Sequence, residues 1–167
     1  INVNYTELGK GNAVLLIHGF LEDSSMWKHL ILNLQKRYRV IAVDLLGHGK
    51  TENLGYVHTM EDQADMLFAL ISELRLRKIS LIGHSMGGYI ALAFAELYPD
   101  HLRSLVLLNS SAQSDSEERK INRDRAIDVV KKNSNTFIRI ATHNLFNNKA
   151  HELFSKEIEA FTQQALK

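Results

Sequence analysis

Over the first 110 residues, short unbroken apolar runs take turns with longer segments whose apolar residues recur every three or four positions. Ala13 to His18 (AVLLIH), Tyr38 to Val43 (YRVIAV), Lys78 to Ile82 (KISLI) and His101 to Leu108 (HLRSLVLL) have the length and composition of buried strands. Asn2 to Leu8 reads as an edge strand, joined through Gly9-Lys10-Gly11 to the first of them. Ser24 to Gln35 spaces Trp27, Leu30, Ile31 and Leu34 along one helix face, with Asp23 or Ser24 as the N-cap. Thr59 opens a second helix with Asp62 three residues on, a capping-box-like start, and Met60, Ala64, Leu67, Phe68, Ile71 and Leu74 form its stripe. Met86 to Tyr98 is a third, with Ile90, Ala93, Phe94 and Leu97 on one face and Pro99 to end it. Near-continuous apolar strands alternating with amphipathic helices predict an α/β fold with a mostly parallel, doubly wound sheet covered on both faces.

At Ser110 the pattern changes. Ser110 to Ser116 is a polar linker, with no chemical role expected for Ser110 or Ser111. The rest is helical only: Glu117 to Lys132, weakly amphipathic; Ser134 to Phe146, with Phe137, Ile140, Ala141 and Leu145 together; and Glu152 to Leu166, with Phe154, Ile158, Phe161 and Ala165 together. The expected organisation is a core over residues 1–110 and a helical cap or lid over residues 111–167.

Composition then narrows the chemistry. Twenty basic residues against nineteen acidic ones leave a formal net charge of +1, which argues against nucleic acid or an anionic membrane as a partner. The absence of cysteine excludes disulfides, thiolate metal sites and a cysteine nucleophile. No apolar run is long enough to span a bilayer and no stretch has the order of a secretory leader, so a soluble, cytoplasmic protein is expected.

The most informative segment is Gly83-His84-Ser85-Met86-Gly87-Gly88, a G-x-S-x-G pattern with a strand before it and a helix after it. Small residues are needed there because the chain reverses sharply, and side chains at Gly83 and Gly87 would collide. The turn lifts the Ser85 hydroxyl clear of the sheet at a helix N-terminus, where backbone N–H groups and the helix dipole favour developing negative charge. Two further signals lie at strand ends: His18-Gly19-Phe20 after the first buried strand, and Asp44-Leu45-Leu46-Gly47-His48-Gly49 after the second. Asp44 to Thr51 (DLLGHGKT) also comes close to a phosphate-binding loop, but a carboxylate in the first position would repel phosphate.

Taken in order and spacing, the three motifs resemble the α/β-hydrolase superfamily over Ile1 to about Ser111. The resemblance implies a sheet in which the strand ending at His18 lies between those ending at Val43 and Ile82. It implies Ser85 as nucleophile and the backbone N–H groups of Phe20 and Met86 as an oxyanion hole, with Phe20 also walling an acyl pocket. His18, Gly19, Gly83, His84, Gly87 and Gly88 would support the elbow and its loop. Acyl transfer from a small ester or related carbonyl substrate is the implied reaction, with no metal or organic cofactor. Acyltransferase and carbon–carbon bond hydrolase chemistries, or a non-catalytic ligand-binding relative, are the alternatives on the same fold.

The other titratable residues do not complete a triad. Asp44 ends a strand at the correct edge but belongs to the turn in the resembled family, and His48 shares that loop. Asn109 stands where some members carry their acid, and it is an amide. His101 lies at the opposite end of the sheet; His29 and His58 are surface or helix-flanking positions; His143 and His151 lie in the helical region and could face the pocket, but neither resembles the family's base position. The family order is serine, then acid, then base, and neither acid nor base is identified here. The chain is therefore expected to be the N-terminal part of a longer hydrolase, close to silent by itself. The apolar strand at Leu105 to Leu108 would then be an open sheet edge, prone to self-association.

Overall fold

The computed structural model describes residues 1–166, in two compact units that divide between Ala112 and Gln113. In the first unit the apolar runs become five strands: β1 (Tyr5–Leu8), β2 (Ala13–Ile17), β3 (Arg39–Val43), β4 (Ile79–His84) and β5 (Leu102–Leu108). They form one sheet in the order β1-β3-β2-β4-β5, with β1 antiparallel to β3 and the remaining pairs parallel. The strand ending before His18 does lie between the other two motif-bearing strands. Ile17 is level with Val43 on one side and with Gly83 on the other. That register brings His18, Asp44 and His84 to the same edge of the sheet, where the three motifs meet.

Three helices cover the sheet: α1 (Lys28–Leu34), α2 (Met60–Glu73) and α3 (Met86–Leu97). Alternate strand residues go to opposite faces. Leu15, Ile17, Ile41, Val43 and Leu81 share a core with Ala64, Leu67 and Ile71 of α2 and Ile90 and Phe94 of α3. Val14, Leu16, Val40 and Ala42 pack on the other side against Trp27 and Ile31. All five residues of β2 are buried, because neighbours flank it within the sheet and helices close both faces. At about 1.5–3 kcal/mol for each large apolar side chain removed from water, these two layers hold the unit together. At the far side of the sheet, β5 has no strand on its outer edge among the described residues, and Val106 is 47% exposed.

Local signals account for most element ends. The Thr59 hydroxyl accepts the Asp62 N–H at 3.1 Å while the Asp62 carboxylate accepts the Thr59 N–H at 2.8 Å, the reciprocal capping box expected there. The segment predicted as one helix from Ser24 is instead a 3-10 turn (Ser24–Trp27), capped by the Asp23 carboxylate on the Ser25 N–H, followed by α1. His101 closes a 3-10 turn (Pro99–His101) rather than opening β5.

The second unit has four helices: α4 (Glu117–Lys132), α5 (Ser134–Asn144), α6 (Asn148–Leu153) and α7 (Ser155–Ala165). Polar caps start three of them: Ser116 on the Arg119 N–H, Asn133 on the Thr136 N–H and Asn147 on the Ala150 N–H. The single helix predicted from Glu152 to Leu166 is thus two, broken at Phe154. None of the residues of α4 is buried, whereas α5 and α7 bury Thr142, Ile158 and Thr162. No helix of the described residues is long and apolar enough to cross a membrane.

Candidate active site

The turn from β4 to α3 is built on two backbone contacts that exclude side chains. A Cβ on Gly83 would fall 2.6 Å from the carbonyl carbon of Gly87 and 2.7 Å from the Gly88 nitrogen. One on Gly87 would run into the carbonyls of Ile17 and His18, with the His18 oxygen at 2.5 Å. The collision expected between side chains is therefore one of side chain with main chain, and at Gly87 it is with β2. Helix α3 starts hard against the end of the central strand. Gly88 is packed as closely, but against a side chain, that of Ser110.

Ser85 sits at the apex, exposed, between buried Gly83 and Gly87. Its backbone has φ 51° and ψ −115°, a conformation that side-chain-bearing residues rarely adopt and that costs about 1–3 kcal/mol. Several contacts hold it. The Ser85 N–H donates to the Leu108 carbonyl at 3.0 Å, its carbonyl accepts the Gly88 N–H at 3.0 Å, and the Ser110 hydroxyl donates to the same carbonyl at 2.8 Å. Ser110 therefore does take part in the turn, through a contact between β5's exit and the elbow that a polar linker in sequence does not reveal.

The His18-Gly19-Phe20 loop lies beside it. A Cβ on Gly19 would be 3.2 Å from Cβ of Ser85, so the loop backbone passes directly against the serine. Gly19 is buried; Phe20 is 50% exposed, its ring edge-on to His48 at 6.3 Å. Met86, the first residue of α3, follows the serine immediately.

His18 is fully buried, and both its ring nitrogens are used. Nδ1 lies 2.8 Å from the Gly19 carbonyl and so carries the proton; Nε2 accepts the Leu45 N–H at 3.0 Å. That fixes a neutral tautomer. Burial pushes this imidazole below its ordinary value, as does neighbouring His48, against the opposite pull of the Gly19 carbonyl. His18 ties the first motif loop to the second and has no nitrogen left to serve Ser85.

Asp44 is equally occupied. Its carboxylate accepts the N–H groups of Ser24 at 2.8 Å and Lys50 at 2.9 Å, and the Asn4 amide at 2.8 Å. Burial raises its pKa, but the bonds from Ser24, Lys50 and Asn4 outweigh it and hold the carboxyl below its ordinary value. The Lys50 amide of the Asp44 to Thr51 loop is thus turned onto the protein's own carboxylate, the group expected to repel phosphate. Gly49, at φ +55°, leaves no room for a Cβ beside that carboxylate.

Several other histidines have local contacts, though the buried Nδ1 of His101 has no hydrogen-bond partner. His48 Nδ1 lies 3.1 Å from the Leu46 carbonyl, His58 Nε2 accepts the Leu54 N–H, and His101 packs edge-on against Phe68. In the helical unit, His143 and His151 bond to each other, Nδ1 to Nε2 at 3.0 Å. Within residues 1–112 no histidine ring is hydrogen-bonded to the Ser85 hydroxyl. Among the described residues no three His, Asp or Glu side chains are grouped to hold a metal ion. One participant went unread in the sequence: Glu22, whose carboxylate reaches both Gly19 and His84.

A family model described as the alpha/beta hydrolase fold matches residues 12–153. A 2-hydroxy-6-oxo-6-(2'-aminophenyl)hexa-2,4-dienoic acid hydrolase of Metapseudomonas resinovorans is 36% identical over 115 residues, covering 66% of this chain and 40% of that protein. A 2-(acetamidomethylene)succinate hydrolase of Mesorhizobium japonicum is 32% identical over 117 residues, 70% of this chain and 42% of that one. Among solved structures, a thermophilic esterase from Thermogutta terrifontis superposes with a TM-score of 0.90 at 38% identity, over 99% of this chain and 61% of the esterase. The chain thus spans well under half the length of these curated relatives. With the motif order, the strand order and the family match all in agreement, the chain belongs to the α/β-hydrolase fold family.

Proposed function

We propose that the native protein is a serine hydrolase that acts on a small ester or related carbonyl substrate through an acyl-Ser85 intermediate. The observation that carries this reading is the strained, exposed Ser85 at the strand-to-helix turn, with the Gly19 backbone against it. Strain of this kind persists only where the surroundings enforce it, and it clusters at reactive centres. In the proposed sequence the Ser85 oxygen adds to the substrate carbonyl carbon, and the hydroxyl proton passes through a base to the leaving group. The carbonyl oxygen, now negative, is held by the N–H groups of Phe20 and Met86. Each such donor is worth roughly 3–4 kcal/mol at the transition state. Collapse expels the leaving group; water then adds to the acyl carbon and releases the acid and free Ser85. Acid and base are assigned to no residue of this chain. The relatives' names favour a carbonyl-centred reaction: one is an esterase, another a hydrolase of an oxo dienoic acid. That second name keeps carbon–carbon bond hydrolysis as the companion reading.

A fluorophosphonate probe applied to the native protein tests this. It should label Ser85, and Ser85→Ala should abolish labelling and lower turnover of p-nitrophenyl acetate by roughly 10⁴–10⁶-fold. Labelling that persists in the variant overturns the assignment.

A further inference from the structure

Oxygen Oε2 of Glu22 accepts the Gly19 N–H at 2.6 Å and lies 2.9 Å from Nδ1 of His84. A carboxylate oxygen has lone pairs enough to take a second N–H, from Nδ1 of His84, beside that of Gly19. The carboxylate thus bridges the residue before Phe20 and the residue before Ser85. Neither side chain is loose: Glu22 is 13% exposed and His84 20%, and the His84 ring stands edge-on to buried Trp27 at 6.4 Å. Between Gly19 and Glu22 the chain turns tightly, with the Glu22 N–H on the Gly19 carbonyl at 3.4 Å, and Leu21 is held at φ 63°. A leucine in the left-handed region needs an external restraint, and the Glu22 side chain, folded back onto Gly19, supplies one.

We infer that Glu22 is a positioning residue which, by clamping Gly19 to His84, sets the distance between the Phe20 amide and the Ser85 hydroxyl. The inference rests on the nucleophile reading above and adds to it a residue outside the three motifs. Glu22 does not touch the reacting atoms. Without the clamp, Leu21 is free to leave φ > 0 and the Phe20 amide to swing away from the serine. Misplacement by about 1 Å at such a site costs up to roughly 10²-fold in rate. Both bonds go to one oxygen, so a glutamine carbonyl in the same place can accept both.

The experiment compares Glu22→Ala, Glu22→Gln and Ser85→Ala in the native protein. It reads kcat and KM for p-nitrophenyl acetate together with the NMR shift and exchange rate of the Gly19 amide. In Glu22→Ala the Gly19 amide should move upfield and exchange at least about tenfold faster, and kcat should fall roughly 10–100-fold with KM within about twofold. Glu22→Gln should restore the amide and bring kcat back to within about threefold. If Glu22→Ala does not fold, Glu22→Asp, one methylene too short for both bonds, takes its place with the same expectations. An unmoved Gly19 amide overturns the inference, and so does a moved amide with unchanged kcat while Ser85→Ala is inactive. Wild-type turnover in Ser85→Ala overturns the nucleophile reading instead, and the Gly19 amide still decides whether Glu22 clamps the loop.

Discussion

The two units are held by different means. In Ile1–Ala112, close contact reaches the main chain itself: α3 begins against the carbonyls of β2, and the Gly19 loop runs tightly past the side chains of Ser85, His84 and Glu22. In Gln113–Lys167, capped helices rest on few buried side chains, and α4 buries none. The first arrangement fixes atoms to within fractions of an ångström and tolerates no substitution at its contacts. The second is built mainly from local signals, caps and helix propensity, and tolerates much.

The sharpest way to break this contrast is Gly87→Val. A Cβ there meets the carbonyls of Ile17 and His18, which belong to the buried centre of the sheet and cannot retreat. We expect a loss of about 3 kcal/mol or more, or no soluble protein at all. The matched change in the second unit, Ile127→Ser on α4, alters a side chain that is 51% exposed and should cost within about 0.5 kcal/mol. Chemical denaturation of both variants checks the pair. A Gly87→Val protein with wild-type stability would mean that the elbow can relax.

The same contrast decides what could be read in the sequence. Where burial is complete, as in β2, the hydrophobic pattern is unbroken and the strand is legible to within a residue. The elbow was legible because main-chain contact admits only glycine, and glycine is visible in sequence. Glu22 was not: its partners are an amide three residues back and a histidine sixty-two positions on, brought near only by the register of β2 and β4. Ser110 was missed for the same reason, since its bond to Ser85 depends on β5 lying next to β4. In the second unit the break at Phe154 was hidden, because Phe154, Ile158 and Phe161 keep helical spacing across it. The Asn147 cap was a local signal that marks the start of α6 and could have revealed it.

A medium-sized effect should come from His18. Its depressed pKa means that, below the ordinary value of 6.5, the unfolded chain binds a proton that the folded unit refuses. Stability is therefore complete above about pH 7 and falls as pH drops through 6.5, by at most about 1.4 kcal/mol per pH unit for one proton. The depressed Asp44 carboxyl acts in a separate window: its contribution is present above 3.8 and is lost only as pH falls below that. Trp27, the only tryptophan, belongs to the first unit and reports its unfolding by fluorescence. Urea midpoints between pH 7.5 and 5 should slope for the wild type and be flatter for His18→Gln, which will also be less stable throughout. An equal slope in both would show that His18 is protonated in the folded state, contrary to its tautomer.

A small effect should also come from the helical unit's own buried polar contact. Thr162 Oγ1 lies 3.0 Å from Thr142 Oγ1, joining α7 to α5, and both residues are buried. Each hydroxyl also has a carbonyl in its own helix, Ile138 at 2.8 Å for Thr142 and Ile158 at 2.9 Å for Thr162. Each oxygen has one proton to give. If Thr142 gives its proton to Ile138, it is free to accept that of Thr162. Thr162→Val removes one donor at nearly constant volume and leaves Thr142 still bonded to Ile138, so no buried proton is orphaned. The cost should be about 1 kcal/mol or less, and Thr142→Val/Thr162→Val should cost no more than the worse single change, because replacing both partners leaves nothing unsatisfied. Amide exchange of α5 and α7 in the native protein measures this directly. A loss above about 2 kcal/mol in Thr162→Val would make this pair as unforgiving as the elbow, and the difference between the two units would then be one of size rather than of kind.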